Sequence, residues 1–120
     1  MIEETLTGLL RGIAPKPPFP LIAPENAVAP FLVYSRVSTS RLRDLDGSVG
    51  VATPTFRVDV YAVGFLTARQ LANAVREALD GYSDDEVMDV ACVQERDLSD
   101  LTSDPKLSRV QLEFRIKHRE

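Results

Sequence analysis

Two segments of the chain alternate apolar and polar residues so regularly that they predict strands of a half-buried sheet. In FRVDVYA (56–62) every second residue is apolar, and the residues between them are Arg57, Asp59 and Tyr61. The segment RVQLEFRIKHR (109–119) alternates in the same way. A period of two places one face against a core and leaves the other for solvent or a partner. The alternation therefore predicts an antiparallel sheet. One face packs on the core, and the other faces solvent or a partner.

The dipeptide Asp46-Gly47 predicts a β-hairpin between FLVYSRV (31–37) and TFRVDVYA (55–62). Asp-Gly is among the most favoured pairs for a two-residue turn between antiparallel strands. The hairpin that results is longer than a core needs, and residues 38–54 project from it as an arm. An extension of this length is uncommon without a functional reason.

A two-residue turn at Asp46-Gly47 also fixes the predicted register of this hairpin. It sets Val33 opposite Val60 and so brings apolar residues together on one face. It also sets Arg36 opposite Arg57, a mismatch that a β-bulge would relieve. In this register the outer face of the hairpin combines aromatic, apolar and charged side chains, namely Leu32, Tyr34, Arg36, Arg57, Asp59 and Tyr61.

Two helices accompany the strands. The first, near the N-terminus, has an apolar stripe formed by Ile2, Leu6, Leu9, Leu10 and Ile13. The second lies within GFLTARQLANAVREALDGY (64–82), where Thr67 and Gln70 fit a capping box and Gly81 is the expected C′ glycine. A proline-rich connection (15–30), a strand near 89–96 and a loop with Asp104-Pro105 complete the chain. We predict one α+β domain over residues 1–120, with an antiparallel sheet of about four strands in two hairpins and both helices packed on one face.

Composition excludes several classes of protein. The net charge of −4 argues against binding to nucleic acid through its phosphates and against an anionic membrane surface. Cys92 is the only cysteine, so no internal disulfide forms. No stretch has the ~18 apolar residues of a membrane span, and MIEETLTGLLRGI lacks the basic start of a signal peptide. We expect synthesis in a reducing cytoplasm.

Catalytic chemistry is not supported by the sequence. The only histidine, His118, stands in a charged run near the C-terminus, and no nucleophile-elbow, phosphate-loop or zinc-protease motif occurs. We therefore predict no enzyme activity, no catalytic residue, no metal site and no cofactor. An acidic turn contains four carboxylates without the spacing of a calcium loop, and it is interpreted as a solvated turn: Asp84, Asp85, Glu86 and Asp89.

The outer face and the arm are the candidate interface. Aromatic residues and arginine are enriched at protein interfaces, and arginines alternate here with aspartates. This pattern favours pairing with a partner protein over phosphate binding, while cover by the proline-rich connection is the structural alternative. The candidate interface residues are Tyr34, Arg36, Arg41, Arg43, Asp44, Asp46, Arg57, Asp59 and Tyr61.

The sequence resembles the tail completion proteins of phages and prophages, relatives of the head–tail joining and tail terminator proteins of long-tailed phages. The resemblance rests on MIEETLTGLL, LIAPENAVAPFLVYSRVS, the VDVYA strand with its ARQLANAVREALDG helix, and the QERDL and RVQLEFRI segments. These segments together cover nearly the whole chain.

The resemblance implies a structural protein of the virion neck or tail, made in the bacterial host. Such proteins form a ring, often a hexamer, that caps the tail tube and joins it to the head connector. The implied partners are other copies of the chain, the tail tube protein and the connector, while DNA only passes through the channel, which the acidic turn would line or rim. The alternative is a small dimeric α+β domain that binds a ligand or regulates another protein.

Overall fold

The strands and helices follow the predicted order, with one addition. A computed structural model describes residues 2–100 and 107–120, so the predicted loop at Asp104-Pro105 lies outside the described residues. The elements are α1 (Ile2–Leu10), β1 (Phe19–Pro20), β2 (Phe31–Asp44), β3 (Gly47–Ala62), α2 (Phe65–Leu79), β4 (Val87–Asp100) and β5 (Leu107–Arg119).

The strands form one sheet in the order β1-β2-β3-β5-β4. All neighbouring pairs are antiparallel except β1 and β2, which run parallel. The α+β class with two hairpins is confirmed. The fifth strand, β1, was not predicted because its proline content argues against a strand, but Phe19 and Pro20 lie at an edge, where a proline removes no central hydrogen bond.

The hydrophobic core lies between the two helices and one face of the sheet, called here the inner face. Every second residue enters it from Phe56 to Ala62 in β3 and from Val110 to Ile116 in β5, as the alternation predicts, and both α1 and α2 contribute their apolar stripes. The largest fully buried rings are those of Phe56 and Phe114 on neighbouring strands. The predicted packing of both helices on one face is therefore present.

Helix α2 begins earlier than the capping box predicts. Its first residue is Phe65 and its N-cap is Gly64, with no side-chain hydrogen bond to the helix end. The φ of Gly64 is 100°, a left-handed value that glycine adopts without steric cost. The backbone geometry at Gly64, rather than the hydroxyl of Thr67, fixes where the helix starts.

The β2–β3 hairpin projects beyond the rest of the sheet. Strand β5 follows β3 as far as Val51, and the amide of Glu120 donates to the carbonyl of Gly50. Beyond that point, within the described residues, β2 and β3 pair only with each other, so that the arm tip (42–50) is a two-stranded ribbon. The molecule is consequently elongated, 54 × 23 × 22 Å.

The turn and the register of this hairpin differ from the prediction. Asp44 pairs with Gly47, which makes Leu45-Asp46 the turn instead of Asp46-Gly47. The pairing is irregular at two places: β2 has one additional residue between Arg36 and Ser38, and β3 has two additional residues opposite the step from Arg41 to Arg43. The predicted bulge near Arg36 is thus present. It shifts the pairing of the preceding residues, Phe31–Arg36, by one residue.

This shift exchanges the faces of β2. Leu32 lies opposite Val60, Tyr34 opposite Val58 and Arg36 opposite Phe56, so these three residues belong to the inner face. Their predicted places on the outer face are taken by Phe31, Val33 and Ser35. A slip by one residue moves a whole strand's side chains to the opposite face because the side-chain period is two.

Truncation of a core ring tests the assignment of the core. We expect Phe114→Ala to lower the free energy of unfolding by about 3–5 kcal/mol, because it leaves a cavity among fully buried side chains. The matched control is Phe65→Ala, whose ring is exposed at the start of α2 and whose loss should change stability by less than about 0.5 kcal/mol. Urea unfolding of both variants measures the difference, and equal losses would contradict this core.

Candidate functional site

The outer face of the sheet carries an aromatic cluster at the end remote from the arm tip. The rings of Phe31 and Tyr61 stack with their centroids 4.9 Å apart. Phe19 of β1 meets the edge of Phe31 at 6.1 Å. The guanidinium of Arg109 lies over the ring of Tyr61, 5.4 Å from its centroid, in a cation–π arrangement. The predicted interface residue Tyr61 is therefore part of a packed cluster.

Asp59 is a buried carboxylate beside this cluster. It is 7% exposed, and its Oδ1 accepts from Nε of Arg109 at 3.0 Å and from Nε2 of Gln111 at 3.1 Å. Both donors stand on β5, directly across from Tyr61 and Asp59. A charge at this depth requires such partners, because an unpaired buried carboxylate is strongly unfavourable. No second hydrogen bond of Asp59, through Oδ2, occurs among the described residues.

Arg57 continues the outer face toward the arm. Its Nε donates to Oε1 of Glu113 at 2.9 Å across the β3–β5 pair. The predicted interface residues Arg57 and Asp59 are thus both paired within the chain. Cross-strand pairing of opposite charges adds modestly to sheet stability.

Tyr34 and Arg36 lie on the inner face, away from the other candidates. Tyr34 packs against the core. Arg36 lies over the ring of Phe56 at 5.3 Å and forms an ion pair of 2.8 Å with Glu3 of α1. Arg36 therefore connects α1 to the sheet, and the structure separates these two residues from Arg57, Asp59 and Tyr61.

The arm carries the remaining interface candidates. Arg41 donates two hydrogen bonds to the carboxylate of Glu120, at 2.9 and 3.1 Å. Asp44 accepts the amide of Asp46 at 2.8 Å and so stabilises the turn. Within the described residues, Arg43 and the carboxylate of Asp46 form no ion pair or hydrogen bond, and both side chains are exposed.

The acidic turn lies at the same end of the sheet as the arm. Asp84 Oδ1 accepts the amides of Glu86 and Val87, and Oδ2 accepts the hydroxyl of Tyr82. These bonds, the one from Val87 first, lower the pKa of Asp84 because they favour its charged form. Asp85 contributes its carbonyl to Arg119, while the side chains of Asp85, Glu86 and Asp89 are exposed.

A cavity of about 530 Å³ opens on the outer face beside the aromatic cluster. The proline-rich connection forms one wall with Leu21, Ile22 and Val28, and the sheet forms the other with Asp59, Tyr61 and Arg109. The connection therefore covers one end of the outer face without filling it. We call this space the outer cavity.

The described residues do not form a recognisable catalytic or metal site. Burial raises the pKa of the Cys92 thiol, which lowers the fraction of reactive thiolate. No group of three or more His, Cys, Asp or Glu side chains in the described part could hold a metal ion. None of its helices is long and apolar enough to cross a membrane.

Sequence reasoning missed the residues that complete the outer face. Arg109 and Gln111 were recognised only as polar positions of a strand, and their pairing with Asp59 depends on the alignment of β3 with β5. Phe31 was assigned to the opposite face. The sequence does contain a signal for the pairing of Asp59 with β5. A buried aspartate requires a partner, and β5 is rich in arginine.

Comparison with known proteins identifies the family. The model of the family described as "Tail completion protein gp17" matches residues 6–119. The chain belongs to this family. It is a structural protein of phage tail completion, it belongs to the tail region of the virion, and it is not an enzyme, as the sequence predicts.

The fold is shared with a solved virion structure. A chain from the structure described as "Virion of native gene transfer agent (GTA) particle" superimposes with a TM-score of 0.64 and 19% sequence identity. The match covers 96% of this chain and 84% of that chain. Among curated proteins no sequence matches this chain. The structural similarity at this low identity establishes a common fold.

Removal of the buried carboxylate tests the polar centre of the outer face. We expect Asp59→Ala to lower the free energy of unfolding by about 1–3 kcal/mol, because two partly buried donors lose their acceptor. The control Glu113→Ala removes a carboxylate whose partner Arg57 is 42% exposed in its side chain, and it should cost about 0–1 kcal/mol. Chemical denaturation measures both, and a larger loss in the control would contradict this ranking.

The acidic turn predicts a pH dependence. The ordinary pKa of Asp84 is 3.8, and the folded state lowers it. Its contribution to stability is therefore complete above pH 3.8 and is lost as the pH falls through the lower folded value. We expect Asp84→Asn to reduce the melting temperature at neutral pH and to flatten its decline in acid. Asp85→Asn, in the same turn, should keep the wild-type slope; equal slopes in all three proteins would contradict the role of Asp84.

Proposed function

We propose that the protein forms a ring of identical subunits that caps the end of the tail tube and joins it to the head connector. Membership of the tail completion family supports the general role. The observation that carries the ring is the projecting arm, because an isolated chain has no internal reason to extend it. The subunits act by assembly alone.

The arm is poorly suited to exist without a partner. Its tip is a two-stranded ribbon without a helix behind it, a structure that is marginal in water by itself. Apolar side chains are exposed along the hairpin at Val37, Leu42, Leu45 and Val49. Exposed apolar groups that cluster on one element mark an interaction surface. We infer that a neighbouring subunit covers the arm.

A ring requires a different surface on each side of the subunit. Closed rings with more than two members arise from head-to-tail contacts, in which one patch meets a second, unlike patch on the next copy. The arm tip and the aromatic outer face lie at opposite ends of the sheet and differ in shape and chemistry. They fulfil this requirement, whereas a symmetric dimer would pair one patch with itself.

The exposed carboxylates of the acidic turn fit a channel for DNA. Asp85, Glu86 and Asp89 point to solvent near the base of the arm, and the chain has a net charge of −4. A negatively charged wall repels phosphates and does not retain the DNA that passes it. We place these side chains at the lumen or rim of the ring.

Shortening the arm tests its role in assembly. Replacement of Leu42–Val51 by Asn-Gly would join Arg41 to Ala52, which are paired neighbours, through a favoured two-residue turn. We expect a folded protein with a near-native melting temperature that no longer assembles. Mass photometry over a concentration series, with and without tail tubes, and negative-stain images of the tube ends measure assembly.

The control is Leu66→Ser, which removes an apolar side chain from α2 that is 75% exposed, more than Leu42 and less than Leu45, and it should leave assembly intact. Rings formed by the shortened protein would refute the role of the arm. An intact chain that stays monomeric and leaves tube ends uncapped would refute the ring itself.

A further inference from the structure

The outer cavity has an apolar wall that is open to solvent. Leu21, Ile22 and Val28 are each more than three-quarters exposed, at 76%, 79% and 81%. Three large aliphatic side chains on one short connection, all facing a concave space of about 530 Å³, leave apolar area in water. The volume lies in the range of about 300–1,000 Å³ that is typical of binding sites. The cavity therefore has the size and character of a docking site for an apolar group.

The opposite wall offers one carboxylate oxygen that accepts no hydrogen bond within the described residues. Oδ1 of Asp59 accepts both hydrogen bonds that reach this carboxylate, from Arg109 and Gln111. Oδ2 has no partner within the described residues, although the Asp59 side chain is nine-tenths buried and lines the cavity. A carboxylate oxygen that reaches the cavity surface can accept a charge-assisted hydrogen bond from a cationic donor that enters from outside. The occupant should thus combine an aliphatic side chain with a nearby cation.

The arm tip has this combination. Leu45, in the turn, is 106% exposed, as much as in an extended peptide. Arg43 stands two residues before it and has no ion-pair partner in the described part of the chain. Asp44 fixes the turn between them through its hydrogen bond to the amide of Asp46. The tip therefore presents a leucine and an arginine on a short, shaped loop.

The arm tip cannot enter the cavity of its own chain. Gly47 and Asp59 are separated by twelve residues of the same strand, β3, and an extended strand of that length spans roughly 40 Å. The two features lie at opposite ends of a rigid sheet. The arm tip and the outer cavity can therefore meet only when they belong to two different copies. Such a contact joins unlike patches and is head-to-tail.

From these observations we infer that the outer cavity receives the arm tip of a neighbouring copy, with Leu45 against the aliphatic wall and Arg43 paired with Oδ2 of Asp59. This inference rests on the proposed ring and names the contact that closes it. Apolar burial supplies attraction, and the ion pair fixes the orientation of the tip.

Disulfide trapping tests the contact directly. In a Cys92→Ser background, Leu45→Cys combined with Ile22→Cys is bound to tail tubes and then oxidised. We expect a ladder of covalently joined chains on a denaturing gel. Leu45→Cys combined with Val93→Cys, which places the second thiol at an exposed position of β4, is the matched control and should give no ladder.

Complementation tests the same contact in solution, without tail tubes. Leu45→Asp damages only the arm tip and Ile22→Asp only the cavity, and both positions are exposed, so folding is retained. Neither variant alone should associate, whereas an equal mixture should form heterodimers through its one intact contact. Arg43→Ala added to the variant with the damaged cavity should weaken that heterodimer about tenfold, and Arg41→Ala, on the same arm, should not.

The outcomes separate the two proposals. Rings at the tube ends without a disulfide ladder, or a ladder of equal yield from the control pair, would overturn the docking and leave the ring intact. A mixture that stays monomeric at every concentration would overturn it as well. Heterodimers in solution with bare tube ends would support the docking and contradict the capping of the tube.

Discussion

The pairing of β3 with both of its neighbours is the constraint on which the rest of the structure depends. From Phe56 to Ala62, its even-numbered residues enter the core and its odd-numbered residues form the outer face, toward β2 and β5 alike. The same strand continues without a break into the arm. Core, outer face and arm therefore share one backbone, and a displacement of β3 would disturb all three. The rigidity of this strand is what keeps the arm tip and the outer cavity a fixed distance apart.

The irregularities of the β2–β3 pairing adjust this arrangement locally. Between Arg36 and Ser38, β2 has one additional residue, the exposed Val37. Between Arg41 and Arg43 the longer side is β3, where residues 49–51 stand opposite Leu42. Bulges increase the local twist and interrupt the regular edge of a strand, which discourages unspecific pairing with other edges. We interpret them as a device that turns the arm while protecting its outer edge, so that the arm can project without aggregating.

The sequence predicts those features that depend on local periodicity. The stripe of α2 with Ala68, Ala72 and Val75 is buried, and so is the apolar side of β5. The register of β2 is the predicted one from Ser38 to Arg41 and was wrong from Phe31 to Arg36, because the extra residue Val37 shifts the pairing there by one. The outer cavity was also missed. It forms because the proline-rich connection folds over the sheet. No local pattern in the sequence indicates that β1 pairs in parallel with β2 or that Leu21 faces this space.

Ion pairs within the chain leave few charged side chains available to bind a partner. Arg36, Arg41 and Arg57 all form ion pairs within the chain, although the sequence pattern favours them as interface residues. Side chains that stabilise a subunit are poor candidates for recognition, because a new contact must first break the old one. What remains uncommitted lies at the arm tip, where Arg43 and Leu45 gain contacts only from another molecule. Recognition therefore depends on residues of the arm tip that contribute least to the stability of the subunit. Substitutions in the tip can adapt it to a neighbour without a change in the core.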